Sequence, residues 1–228
     1  MLKAWDKLPP KMQLDEVRPY YDILAKKRTS LFSKRLFDIT VSLVLLIILS
    51  PLFLILAAAI KIDSPGPVFF RQTRITQYGR QFKIIKFRTM VSDAEKRGGQ
   101  ITAQNDSRIT KTGKFMRRFR LDEISQLLNT LSGQMSFVGT RPEVPKYVER
   151  YSAEMMATLL LPAGITSQAS IMYKDEDRLL ADAKNTDRIY VEKVLPGKMK
   201  INLESLKKFS FSSDIRTMFK TVIAVFRK

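Results

Sequence analysis

The chain has 228 residues and a formal charge of +18 at neutral pH, and it contains neither cysteine nor histidine. Disulfide frameworks, thiolate nucleophiles, zinc–thiolate sites, Ser-His-Asp or Cys-His arrangements and histidine-ligated metals are thereby excluded. Catalysis would have to rest on carboxylates, Lys, Arg, Tyr, hydroxyls or an oxygen-ligated metal such as Mg2+, and the basic balance asks for a polyanionic partner: nucleic acid, anionic lipid or a phosphorylated substrate.

Residues 1–33 mix Trp5, Tyr20 and Tyr21 with Lys and Arg, and Pro9-Pro10 and Pro19 prevent one long helix. They read as an interfacial or loosely ordered arm, with a disordered tail as the plain alternative. Lys34-Arg35-Leu36-Phe37-Asp38 follows, with Asp38 expected to pair with a nearby base. Val41 to Ile60 is then an uncharged apolar stretch, close to the ~20 residues that cross a bilayer as a helix. Ser50-Pro51 interrupts it, and proline breaks or kinks a helix because it has no N–H and clashes with the preceding turn. Basic flanks stay cytoplasmic, and here both flanks are basic: Lys34 and Arg35 before, Lys61 after. A re-entrant helix–break–helix hairpin over 34–62 satisfies both and is favoured over a kinked span or a buried soluble hairpin.

Asp63-Ser64-Pro65-Gly66-Pro67 is a turn cluster. Val68 to Gln72 and Gln81 to Met90 read as two strands around a turn at Tyr78-Gly79-Arg80, a basic and aromatic hairpin carrying Lys83, Lys86 and Arg88. Val91 to Lys111, with Gly98-Gly99, is a long polar loop of the kind that carries function. Thr112 to Arg120 is strongly basic, and Leu121-Asp122-Glu123-Ile124 opens a helix that Gly133 ends. Met135 to Glu143 is a short strand running into a turn, Ser152 caps a short helix up to Pro162, and Ala163-Gly164-Ile165-Thr166 reads as a tight turn. A helical stretch is expected from Asp175 through Asp182. The final segment is amphipathic, with Ile215, Met218, Phe219, Val222, Ile223 and Phe226 on one face. That face suits a core helix or one lying in a membrane interface, the second being favoured.

The chemistry gathers around Arg117, Asp122-Glu123 and Arg141-Pro142-Glu143. A carboxylate at a helix N-terminus is kept ionised by the dipole and free N–H groups, and can act as a nucleophile at phosphorus or a Mg2+ ligand. Arginines are bidentate partners for phosphate oxygens. Spacing alone allows the plainer reading of an N-cap beside a solvated basic face.

Several ordered motifs add to this: KRLFD from Lys34, the Ser50-Pro51 break, GPVFFRQ from Gly66, KFRTM from Lys86, DSRIT from Asp106, GKFMRRFRLDEISQLLN from Gly113 and MSFVGTRPE from Met135. In this order, over 34–228, the chain resembles the bacterial sugar transferases, the monotopic polyprenyl-phosphate phosphoglycosyl transferases. The resemblance implies an α+β monotopic membrane protein: an arm over 1–33, a re-entrant hairpin over 34–62, and a small cytoplasmic catalytic domain with interfacial helices over 63–228. It implies a place in one leaflet of the bacterial inner membrane, facing the cytoplasm. It further implies transfer of a phospho-sugar from a UDP-sugar to undecaprenyl phosphate with release of UMP, in the first membrane step of surface glycoconjugate synthesis.

Asp122 resembles the family's nucleophile, forming a covalent phosphosugar intermediate with Mg2+ close by and Asp122 as its ligand. Glu123 resembles its acid/base or metal-assisting partner. Lys86, Arg88, Arg117, Arg141 and Glu143 match positions expected to contact substrate, and Arg141 is expected to pair with Asp214. The implied partners are the UDP-sugar, the lipid phosphate and anionic membrane lipid; no nucleic acid is expected, and a homodimer is compatible with the resemblance. The chain departs from the family at Thr140, where Gly-Pro-Arg-Pro becomes Gly139-Thr140-Arg141-Pro142, and at Ala163 to Ser170, which lacks the usual Trp. It also lacks the multi-span N-terminal region of larger members and so resembles the small catalytic-core form. Competing readings are a membrane-tethered nucleic-acid binder, a non-catalytic membrane scaffold, and a glycosyltransferase releasing UDP instead of UMP.

Overall fold

The computed structural model describes residues 2–94, 106–173 and 186–226. The expected loop around Gly98-Gly99 and the helical stretch from Asp175 to Asp182 lie outside the described residues.

The N-terminal arm folds onto the rest of the chain. Two 3-10 turns, Trp5–Lys7 and Pro10–Met12, lead to helix α1, Arg18–Ala25. Leu8, Met12, Val17, Tyr20 and Leu24 are buried in one core with Leu159, Leu160 and Leu161, and with Leu203, Leu206 and Phe209 from the far end of the chain. The loosely ordered arm expected from sequence is therefore corrected. The prolines break the helical period, so no apolar stripe is visible in the text, but the broken path turns its apolar side chains onto one surface.

Helices α2, Arg28–Ile48, and α3, Ser50–Asp63, are bent by 62° around Leu49. Pro51 has no N–H for the carbonyl of Ile47, and the Ser50 hydroxyl donates to that carbonyl instead, at 2.8 Å. No single helix among the described residues is long and apolar enough to cross a membrane, whereas the bent pair taken together meets that length and composition. Both limbs return to the same body. On α2, Arg35 donates to the carbonyls of Thr130 and Leu131, Lys34 to Val138 O and Asp214 Oδ2, and Asp38 accepts from the Phe137 N–H. On α3, Leu56 and Ile60 are buried against Phe87 and Met116, and Asp63 accepts from the Thr112 N–H. Between the anchored limbs, Ile47, Ile48, Leu54 and Ile55 are each at least 64% exposed.

Strand β1, Phe69–Ile75, pairs antiparallel with β2, Gln81–Phe87, in a register that sets Phe70 opposite Lys86. Further along the chain come α4, Lys111–Arg118, a 3-10 segment, Leu121–Gln126, and α5, Leu127–Leu131, so the expected single helix from Leu121 is a 3-10 turn that relaxes into α. Strand β3, Met135–Val138, lies parallel to β4, Ala163–Thr166, across the short helix α6, Pro145–Val148, and a 3-10 segment, Glu154–Leu160. The expected tight turn at Ala163 to Thr166 is thus a strand. A Cβ on Gly164 would lie 2.1 Å from the Gly139 nitrogen, so the glycine that reads as a turn residue serves close backbone approach.

The chain closes with α7, Gln168–Met172, α8, Thr186–Ile189, a π-helical turn, Tyr190–Val194, α9, Leu195–Lys207, and α10, Phe211–Phe226. Helix α10 turns its hydroxyls inward. Thr217 accepts from the Gln168 amide at 2.8 Å and Thr221 bonds Thr166, while Phe219, Val222 and Ile223 are each more than half exposed. Of the two expectations for this helix, the core role is the one the packing removes.

The arm's contribution is measurable. Leu24 is fully buried, so Leu24→Ala should destabilise the protein by ~2–5 kcal/mol in denaturant unfolding; a cost under ~1 kcal/mol would show that the arm is not part of the core.

Candidate active site

The 3-10 segment that carries Asp122 and Glu123 is stitched along the edge of β2. Ser125 Oγ donates to Ile85 O at 3.0 Å. Asn129 accepts from the Ile85 N–H at 2.9 Å and donates to Lys83 O at 2.9 Å. Leu121 and Ile124 pack into the cluster of Leu56, Ile60, Phe87 and Met116, which joins this segment to the hairpin limb α3. Arg120, just before it, adopts the left-handed conformation at φ 56°, an uncommon state for a residue with a Cβ. The tight 3.0-residue turn separates Asp122 from Glu123 by about 120°, so the two carboxylates take different surroundings.

Glu123 is gripped by two cations. Its Oε1 accepts from Lys86 Nζ at 2.8 Å and from Arg141 Nη2 at 2.8 Å. Burial alone would raise its pKa, but the charges and hydrogen bonds of Arg141 and Lys86 prevail and hold the carboxyl well below the usual range. Asp122 behaves oppositely. Burial, together with the negative charge of Glu123, raises its pKa, against the opposing pull of Lys86 and Arg117. Neighbouring carboxylates pushed apart in pKa are a common sign of divided chemical roles. The ionised Glu123 suits the metal-assisting part of its expected role better than proton donation, and the more basic Asp122 is the better nucleophile.

Five of the expected residues meet here: Asp122, Glu123, Lys86, Arg141 and Arg117, whose Nε donates to Thr89 Oγ1 at 2.9 Å. Gly113 makes that contact possible, since a Cβ there would fall 2.0 Å from Thr89 O. Two others are placed elsewhere. The Arg88 guanidinium is buried and clasps the hairpin's return turn, donating to Pro65 O at 2.8 Å and to Ser64 O at 2.7 Å, so in this structure it supports the hairpin. Glu143 is buried beneath Tyr190. The expected Arg141–Asp214 pair is corrected: Arg141 bonds Glu123, and Asp214 bonds Lys34 at 2.6 Å. Ser125 and Asn129 carry no mark in the sequence, because a hydroxyl and an amide on short helical turns give no periodic signal.

For Mg2+, no group of three or more carboxylate side chains exists among the described residues. The donor set at hand is Asp122 with Glu123, and Mg2+ is ordinarily bound by one or two carboxylates together with substrate phosphates and water. Burial, with the charge of Glu123 added, raises Asp122, and a divalent cation beside that carboxylate would favour its ionised form, so these residues fit that ion.

Residues 29–228 match the family model described as bacterial sugar transferase. The chain is 36% identical over 194 residues to the UDP-N-acetylgalactosamine-undecaprenyl-phosphate N-acetylgalactosaminephosphotransferase of Aeromonas hydrophila, covering 84% of this chain and 43% of that protein. It is 38% identical over 198 residues to the UDP-glucose:undecaprenyl-phosphate glucose-1-phosphate transferase of Escherichia coli K12, covering 85% and 40%. It is 32% identical over 217 residues to the undecaprenyl-phosphate galactose phosphotransferase of Salmonella typhimurium, covering 89% and 42%. The chain therefore spans about two-fifths of the length of these relatives. With its motifs in order and nearly its whole length matched, the chain belongs to the bacterial sugar transferase family.

Proposed function

We propose that this chain is a phosphoglycosyl transferase that moves a phospho-sugar from a UDP-sugar to undecaprenyl phosphate, releasing UMP, at the cytoplasmic face of the bacterial inner membrane. The observation that carries the reading is the Asp122-Glu123 pair, with Glu123 locked between Lys86 and Arg141, set against the anchored limb of an apolar bent hairpin. The activities for which the relatives are named support the reaction class.

In the first half-reaction a carboxylate oxygen of Asp122 attacks the sugar-bearing phosphorus. A carboxylate oxygen–phosphorus bond forms, the bridge to the second phosphorus breaks, and the bridging oxygen leaves with UMP. In the second, an oxygen of the lipid phosphate attacks the same phosphorus, and the Asp122 carboxylate is the leaving group. Lys86 and Arg141 fix Glu123, so the cluster is arranged before substrate arrives and need not reorganise. Asp122, with Glu123 beside it, would hold Mg2+, which when bound supplies charge neutralisation for the diphosphate. Arg117 brings positive charge to the same side chain.

The bent hairpin enters one leaflet and returns. Its two limbs are fastened to one body, so its ends lie on one side, and its exposed apolar apex is the part that meets lipid. The outward apolar face of α10, with the exposed Arg216 and Lys220 on the same helix, suits a lipid interface, where basic groups are attracted to anionic lipid.

Three outcomes check this. Purified protein given Mg2+, undecaprenyl phosphate and a panel of UDP-sugars should release UMP with one donor. Asp122→Asn should lower turnover by roughly a thousandfold or more; UDP as product, or an active Asp122→Asn, would sink the assignment. The pH profile gives a second check. Asp122 must be ionised to attack and its pKa is raised, so kcat/KM should fall on the acid side at a pH above the usual Asp range. Glu123→Gln removes the neighbouring charge and should shift that limb to lower pH in the residual activity; an unmoved limb would separate it from Asp122. The third uses the native absence of cysteine: Lys27→Cys and Lys61→Cys, both at exposed positions, should each react with an impermeant maleimide only from the cytoplasmic side. Labelling from opposite sides would make the hairpin a span.

A further inference from the structure

Glu143 follows Arg141 by two residues, yet its carboxylate serves a different cluster. It is 6% exposed and accepts a hydrogen bond from Tyr190 Oη at 2.5 Å. Lys198, itself 4% exposed, donates to Tyr190 Oη at 3.2 Å and lies 3.7 Å from Glu143 Oε1. The Arg141–Glu143 strap is also held from β1: Arg74 Nη1 donates to Pro142 O at 3.1 Å, and the Ile75 N–H donates to Glu143 O at 2.9 Å. The strap that ends in the Arg141–Glu123 bond is thus clamped on two sides, by β1 and by the helical arm Thr186–Lys207.

A buried Lys–Tyr–Glu cluster is a costly way to fill space. Apolar side chains of similar volume usually stabilise a core at least as well, while directional bonds fix geometry. Tyr190 also opens a π-helical turn, an irregularity often found where a helix re-aims a side chain for function. Its ring packs on Tyr147 at 4.6 Å, which leaves the hydroxyl little freedom.

We infer that Tyr190 and Lys198 are positioning residues: acting through Glu143, they set the Arg141 guanidinium against Glu123 and so couple the helical arm to the transfer site. The inference rests on the reading of Asp122-Glu123 as the reacting pair. Displacing a positioning group by about 1 Å can cost up to a hundredfold in rate without changing the groups that react.

The test is UMP release by the full chain with its working UDP-sugar, read as kcat and KM separately, alongside melting temperature. Tyr190→Phe should lower kcat by roughly ten- to a hundredfold with KM changed less than about threefold. Asp187→Ala is the comparison: it removes the carboxylate that accepts from Lys146 and Tyr147 but leaves Glu143 its partners, so it should lower the melting temperature and spare kcat. If the two variants lose kcat in proportion to melting temperature, the role is merely structural and the inference fails. In an Arg141→Lys background, Tyr190→Phe should add no further loss; additive losses would show that Tyr190 does not act through Arg141. Normal turnover in Arg141→Lys alone would instead remove the underlying reading of the site. Should Tyr190→Phe not fold, Lys198→Gln carries the same expectations and the same overturning results.

Discussion

One carboxylate organises the molecule's working end. The Glu123 oxygen that accepts from both Lys86 and Arg141 joins three separate pieces of chain: the β2 strand, the 3-10 turn and the strap beyond β3. A charge so placed persists only because both cations reach it. Lys86 does so because the β1–β2 register and the Ser125 and Asn129 bonds bring the turn to the edge of β2. Arg141 does so because the Gly139–Gly164 crossing lets β3 and β4 approach closely enough to deliver the strap. The unequal treatment of the two adjacent acids follows: one is neutralised by two partners, and the other is left more basic beside it.

The hairpin is as firmly tied as the site. Arg35 occupies the last carbonyls of α5, Asp63 receives the first turn of α4, and Arg88 clasps the return turn, where a Cβ on Gly66 would meet its guanidinium at 2.1 Å. Between these anchors the bend leaves Ile47, Ile48, Leu54 and Ile55 exposed. The apolar cluster of Leu56, Ile60, Phe87 and Met116, with Leu121 and Ile124 beside it, is shared by the hairpin and the Asp122 segment. The setting of the bent hairpin and the position of the Asp122 carboxylate are therefore fixed by the same packing.

Much of this is readable from residue types alone. The uncharged run with Ser50-Pro51 at its middle specifies two helices and the partner for the freed Ile47 carbonyl, and the structure has both. The β1–β2 pair follows from alternation and a Gly turn. The packing of the N-terminal arm does not follow, because prolines scatter its apolar residues across several short turns whose common face exists only in space. The β4 strand was hidden for a related reason: four residues around a glycine look like a turn until a partner backbone is supplied. At the site, Asp122 and Glu123 stand out only through the ordered motifs around them. The roles of Arg88 and Glu143 are set by neighbours 23 to 55 positions away, a separation across which no local pattern reports. Arg141's choice of Glu123 over Asp214 is likewise a matter of reach, since Lys34 already occupies Asp214.

The distance along the chain between partners also dictates an order of assembly. Lys34 meets Asp214 and Tyr20 meets Glu154, so the earliest-made segments are completed by some of the latest. At ordinary translation speeds, the 180 residues separating Lys34 from Asp214 take roughly 10–35 s to emerge. During that interval the apolar bend is fully synthesised, while part of what holds its first limb does not yet exist. A nascent chain of this design therefore carries its exposed apolar bend complete before the contact that ties its first limb to Asp214 can form.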